Sequence, residues 1–220
     1  MLYGLILILM LVAVTMLAKR SNLLRDVITD RNRFEARAAE TPGLTPKAPY
    51  SLGRSQLTLW TIIIIGSYIF LYLENGYVPP HLDEVNLILL SISIGTTVVA
   101  QVIDGTQTGP RHQDTPSQGF ITDILSDEKG ISIHRLQQVI WTIIVAVIYI
   151  KFVAANTRLP DETVITTQLL ELMGISAGAY VGLKATENMK QAAEQPAAKP
   201  VEASSQEAVP IEDAEAQPVG

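Results

Sequence analysis

Five apolar blocks, separated by polar segments that hold most of the charge, dominate the hydropathy pattern of the chain. They fall at residues 1–18, 57–73, 85–103, 139–155 and 165–183. Each is close to the roughly 20 residues that an α-helix needs to cross the hydrocarbon core at about 1.5 Å per residue. The pattern therefore predicts an all-α integral membrane protein with five spans.

Part of this pattern occurs twice. Residues 51–75 align with residues 132–156 without a gap, and ten of the 25 positions are identical. Self-similarity at a fixed shift indicates an internal repeat. We therefore expect an N-terminal span followed by two parallel-repeat helical hairpins, packed as a pseudo-twofold four-helix bundle. Three identical pairs lie near the start of each copy: Arg54 with Arg135, Gln56 with Gln137, and Trp60 with Trp141.

The blocks divide the chain into six segments. They are a membrane span (1–18), a basic segment (19–49), a first hairpin (50–103), a loop (104–131), a second hairpin (132–186) and an acidic tail (187–220). The first span is expected to be a retained anchor and not a cleaved signal peptide, because basic residues follow it and none precedes it. The tail is rich in Ala, Pro and acids and is predicted to be disordered.

Basic residues set the expected orientation. They concentrate at 19–54 and 111–135, whereas the turns between the helices of each hairpin are poor in them. The positive-inside rule then places the N-terminus outside and the C-terminus in the cytoplasm. The basic segment 19–49 either lies on anionic lipid or docks a partner, or it is a solvated extension of the first span.

Composition argues against several kinds of site. The chain has 220 residues, no cysteine and three histidines, and no two of the histidines are close in sequence. Disulfides and a zinc site are therefore not expected. No Ser/His pair or carboxylate dyad occurs at span depth, so we predict no catalytic residue, cofactor or enzyme activity. The basic segment lacks interleaved aromatic residues, which argues against nucleic-acid binding.

The repeated Arg, Gln and Trp residues allow two interpretations. Arg54, Gln56, Trp60 and their counterparts could anchor the helices at the inner membrane interface, where indole and guanidinium groups are favoured. Alternatively, they form a paired cytoplasmic docking surface.

Small residues mark two of the predicted spans. Gly174, Gly178 and Gly182 are spaced by four residues, and Gly95 lies in a Ser/Thr-rich stretch. Small residues on one face let helix backbones approach closely. The contact is either within the monomer or between copies, in which case the protein is a homo-oligomer.

Two charges fall inside the second hairpin. Lys151 and Glu171 both lie toward the outer half of the bilayer, where an unpaired charge is costly. They are expected to pair across the hairpin. The alternatives are that Lys151 extends to the interface, or that Glu171 belongs to an ion or proton path.

Four motifs together resemble an uncharacterised family of bacterial multi-pass membrane proteins with a duplicated two-helix hairpin. They lie at residues 50–56, 119–127, 130–137 and 173–178. The resemblance implies the duplicated hairpin and a location in the bacterial cytoplasmic membrane. It implies no activity and no catalytic residue.

The sequence leaves two functions open. The first is a non-enzymatic membrane anchor or scaffold that oligomerises and presents cytoplasmic segments to a protein partner. The alternative is a small pore-forming or ion-transporting protein, because Glu171 and the polar face of the third span lie at membrane depth.

Overall fold

The computed structural model describes residues 1–28, 30–106, 114–127 and 130–194, and these are mostly helical. A short antiparallel hairpin of two strands, β1 (Ser126–Asp127) and β2 (Gly130–Ile131), interrupts the helices. The helices are α1 (Leu2–Arg20), α2 (Arg31–Glu40), α3 (Leu52–Glu74), α4 (Glu84–Thr106), α5 (Phe120–Leu125), α6 (Ile133–Asn156) and α7 (Thr167–Glu194).

Within the described ranges, four helices are long and apolar enough to cross a membrane: α1, α3, α6 and the Glu84–Ile103 part of α4. The prediction of a helical protein with several membrane-length spans is confirmed at this level. The predicted fifth span corresponds to the first part of α7, which packs against α4 and α6. Because α7 continues to Glu194, residues 187–194 are helical, and the rest of the predicted tail lies outside the described residues.

The first helix, α1, packs antiparallel along α3. Tyr3, near the start of α1, hydrogen-bonds through its hydroxyl to Ser67 Oγ at 2.8 Å. The ring of Tyr3 lies 5.0 Å from that of Phe70 near the end of α3. Gly66 makes room for this contact, because a Cβ there would lie 2.7 Å from Leu7 Cδ2.

The other four long helices form a four-helix bundle. α3 lies beside α4, α4 beside α7, α7 beside α6, and α6 beside α3. The first helices of the two hairpins, α3 and α6, are therefore neighbours, and so are the second helices, α4 and α7. A twofold axis along the bundle would instead place α3 diagonally opposite α6, and α4 diagonally opposite α7. The predicted pseudo-twofold relation does not describe this order of helices.

The polar segments at one end of the bundle fold together into a unit that we call the polar cap (residues 21–28, 30–51, 114–127 and 130–132). Ser51 N donates to the Leu24 carbonyl at 2.8 Å, and Ser117 N donates to the Lys47 carbonyl at 2.9 Å. The basic segment and the central loop, which the sequence presents as separate, are thus joined by backbone hydrogen bonds. α5 packs across the starts of α3 and α6.

Candidate functional site

Three buried polar side chains connect α3 to α6, and we call them the polar clasp. Gln56 Nε2 donates to Thr142 Oγ1 at 2.7 Å. Gln138 Nε2 donates to Gln56 Oε1 at 2.8 Å. Thr142 Oγ1 in turn donates to the backbone carbonyl of Gln138 at 2.8 Å. Such bonds are favourable inside a membrane, where the alternative is a polar group in hydrocarbon.

A small cavity lies beside the polar clasp, at the centre of the bundle. The volume open to the centre of a water molecule is about 10 Å³. All four bundle helices line it, through Gln56, Trp60, Ile92, Ser93, Gln138, Trp141, Thr142, Met173 and Ser176. Two buried polar atoms among these residues, Gln138 Oε1 and Ser176 Oγ, have no hydrogen-bond partner.

The bundle is closely packed between this cavity and the hairpin turns. The ring of Tyr149 packs edge-on against Trp60, with centroids 6.2 Å apart, and its hydroxyl donates to Asn86 Oδ1 at 2.6 Å. The fully buried residues around this pair include Leu71, Val85, Leu89, Val153 and Ile165. The cavity is therefore closed by side chains on this side.

The predicted interface residues of the first repeat are not at an exposed interface. Trp60 is only 1% exposed, and Gln56 is buried in the polar clasp. Arg54 is half-buried, and its Nε has no hydrogen-bond partner. Both the anchoring and the docking interpretations are wrong for Gln56 and Trp60, because these side chains pack between helices.

Their counterparts in the second repeat have different environments. Arg135 is buried, and its guanidinium lies 5.1 Å from the ring centre of Tyr180. Gln137 is exposed and Trp141 is half-buried. The six residues therefore do not form one paired surface, and the second glutamine of the polar clasp is Gln138, which the repeat does not mark.

The predicted packing glycines do not bring helices together within the chain. A Cβ built at Gly95, Gly174, Gly178 or Gly182 would meet nothing within 4 Å. The close approaches occur elsewhere: at Gly66, and at Gly53, where a Cβ would lie 3.2 Å from Thr97 Oγ1. Packing within the monomer is therefore the wrong interpretation of the four predicted glycines.

The predicted ion pair across the second hairpin is absent. Lys151 and Glu171 are both exposed, and neither takes part in an ion pair in the part of the chain that the structure describes. Each lies within two turns of the helix end that meets the turn between α6 and α7, so its side chain can extend toward water. The pairing hypothesis is wrong for the single chain.

Asp123 is a buried acidic residue of the polar cap. Its Oδ2 accepts from the Tyr50 backbone N–H at 3.0 Å and from Ser117 Oγ at 2.6 Å, and its Oδ1 accepts from Gln118 N at 2.8 Å. Hydrogen bonds to a buried carboxylate are among the stronger ones in proteins. Asp123 thereby fixes α5 and the central loop to the start of α3.

A second carboxylate orders the turn between α6 and α7. Hydrogen bonds from the Thr163 hydroxyl and from Arg158 lower the pKa of Asp161 to about 2, compared with its ordinary value of 3.8. Asp161 therefore stays ionised at physiological pH. Its pairing with Arg158, at 2.6 Å, holds this exposed turn in one conformation.

The arrangement defines the class of this protein as a multi-pass helical membrane protein with a folded polar cap. No group of three or more His, Cys, Asp or Glu suited to a metal ion occurs among the described residues. Comparison with protein families, with curated proteins and with solved structures finds no match.

Proposed function

We propose that the protein is a non-enzymatic membrane scaffold that oligomerises and presents its polar cap to a cytoplasmic protein partner. The observation that carries this proposal is the fold of the cap, in which two segments distant in sequence form one unit. Function as a scaffold requires a surface of fixed shape, since ordering a flexible segment on binding costs free energy.

Buried side chains hold the segments of the polar cap together. The guanidinium of Arg25 donates to the Ala48 carbonyl and lies 4.1 Å from the centre of the Tyr50 ring. Tyr50 also donates through its backbone to Asp123, at the start of α3. On the outside of the cap, α2 exposes Arg31 and Glu35 while Phe34 is buried beneath it. The exposed face of α2 is the part of the cap that we assign to the partner.

The orientation follows from where the basic residues lie. The end of α1, with Lys19 and Arg20, is at the same end of the bundle as the cap and the starts of α3 and α6. By the positive-inside rule, this end is cytoplasmic and the N-terminus is outside. We propose that all five long helices span a bacterial cytoplasmic membrane, that the two hairpins are copies of each other, and that the C-terminus is cytoplasmic.

Self-association is assigned to the exposed face of α7. Glu171, Ile175, Gly178 and Gly182 are exposed on this helix at a helical spacing. Since a Cβ at either glycine would meet nothing within 4 Å in the described part of the chain, these positions leave room for the backbone of a second copy.

A site-specific photo-crosslinker tests the scaffold proposal in cells. Placed at Ala36 on the exposed side of α2, it should give one defined protein adduct, whereas Tyr77 in the opposite turn should not give that adduct. Asp123→Ala should remove the adduct from Ala36 while the protein still inserts into the membrane. An adduct that survives Asp123→Ala, or no protein adduct at all, would contradict the proposal.

The alternative is a pore formed between copies. Glu171 favours it, because this carboxylate shares the exposed face of α7 with Gly178 and would face a neighbouring copy. Ion flux into proteoliposomes containing the purified protein distinguishes the two functions. Ion flux that is abolished by Glu171→Gln would show that the protein is a pore and not a scaffold. Bilayers that stay impermeable with both the wild-type and the Glu171→Gln protein would support the scaffold.

A further inference from the structure

Two unpartnered polar atoms face the same cavity from different helices. Gln138 Oε1, on α6, and Ser176 Oγ, on α7, belong to side chains that are 4% and 5% exposed. A buried polar atom without a partner loses its hydrogen bonds to water and gains none in return, which destabilises the fold. The same cost applies inside a bilayer, because neither the apolar side chains of the bundle nor the lipid chains can form the missing hydrogen bond.

The conformation of Ser176 differs from that of the other buried hydroxyls in the bundle. Ser67, Ser93, Thr97 and Thr142 each donate to the carbonyl four residues earlier on their own helix. This bond satisfies a hydroxyl without any partner on another helix. Ser176 does not make it and lines the cavity instead, so its hydroxyl is available for a group in the cavity.

The size of the cavity limits which molecule can bind in it. A cavity needs roughly 10–15 Å³ of volume open to the centre of a water molecule to hold one water. The cavity beside the polar clasp has about 10 Å³, which leaves no room for a larger molecule. Its lining offers the two to four polar partners that a buried water requires.

We propose that this cavity binds one water molecule, which donates to Gln138 Oε1 and exchanges a hydrogen bond with Ser176 Oγ. The water extends the polar clasp from α3 and α6 to α7, so that one hydrogen-bonded chain connects three helices and both hairpins. Membrane helices associate without a hydrophobic driving force between them, so such a chain contributes to their pairing.

Radiolytic labelling of the protein in lipid nanodiscs tests the proposal. Brief X-ray irradiation produces hydroxyl radicals from water, and a radical formed at a bound water oxidises a neighbouring methionine. Met173 lines the cavity and is buried, so it should be oxidised only if water is present. Ser176→Ala should slow its oxidation several-fold. Ser93→Ala is the matched control and should not, because Ser93 lines the same cavity with its hydroxyl already bonded to Leu89.

Wild-type Met173 that resists oxidation would overturn the proposal, and so would oxidation at an unchanged rate in Ser176→Ala. The wild-type measurement alone tests whether water is present in the cavity. The proposal can therefore be overturned even if Ser176→Ala is obtained in too low a yield to be measured. Thermal unfolding of both serine variants serves as the check that the bundle is intact.

Discussion

Gln56 and Gln137 occupy the same position of the sequence repeat and have opposite environments. Gln56 is buried and bonded to both Gln138 and Thr142, whereas Gln137 is exposed. The difference arises because the buried face of α6 is rotated from that of α3 by about one residue, or 100°. An identical residue in the two copies therefore has two different structural roles.

This difference gives a paired test at the residue scale. Gln56→Leu removes the acceptor of Gln138 Nε2 and the donor to Thr142 Oγ1, and it should lower the free energy of unfolding by about 1 kcal/mol. Gln137→Leu is the matched control and should change it by less than about 0.5 kcal/mol. Reversible unfolding in mixed micelles measures both. Equal effects of the two substitutions would show that the polar clasp does not stabilise the bundle.

At the scale of single helices, the contact between α1 and α3 depends on Gly66. Gly66→Ile would place side-chain atoms in the space that Leu7 Cδ2 and Met10 Sδ fill, so these side chains or α1 itself must shift. Overpacking of this kind typically costs about 1–3 kcal/mol. Gly95→Ile is the control, since nothing lies within 4 Å of its Cβ position. Hydrogen exchange of the α1 backbone should rise in Gly66→Ile alone, and unchanged exchange would contradict the assigned contact.

The exposed glycines of α7 give a second test at this scale. Gly178→Leu should abolish self-association in detergent while leaving the monomer folded, because Gly178 is exposed and a Cβ there meets nothing within 4 Å among the described residues. Gly4→Leu, at an equally open position on α1, should leave self-association unchanged. Multi-angle light scattering reports the mass of each variant. If the Gly178→Leu protein keeps the wild-type mass, this face of α7 is not the self-association interface.

The apolar blocks predict the helices well but not their packing. In a soluble helix, polar residues mark the outside, whereas in a span the lipid-facing residues are as apolar as the core. Ile63 is buried and its aligned counterpart Ile144 is 39% exposed, although the three residues before each are identical. For the same reason the sequence does not predict that Gln138 is buried. Gln138 shares a helix face with Thr142, four residues later, but nothing in the sequence shows that this face points into the bundle.

At the scale of the whole molecule, the polar cap depends on contacts between segments far apart in the chain. Tyr50 and Asp123 are 73 residues apart, and no local pattern links them. The sequence cannot predict the partner of Asp123, because irregular backbone pairing follows no periodicity. The sequence predicts the duplicated hairpin, but it does not predict the order of the helices in the bundle.

The orientation of the whole molecule can be measured directly because the chain has no cysteine, so that each introduced thiol is unique. Tyr77, in the turn between α3 and α4, is 67% exposed, and Leu44, in the polar cap, is 37% exposed. With the basic end in the cytoplasm, a membrane-impermeant maleimide should label Tyr77→Cys in intact spheroplasts. It should label Leu44→Cys only after permeabilisation.

The reverse labelling pattern would show that the protein has the opposite orientation. The polar cap would then lie outside, and α2 could not bind a cytoplasmic partner. Labelling of both positions from the same side would mean that α3 does not cross the membrane at all. That outcome would conflict with the length and apolar surface of α3, which has 23 residues and lies antiparallel to α1. The expected pattern would place the cap where anionic lipid attracts its basic residues, which is the arrangement that a cytoplasmic scaffold requires.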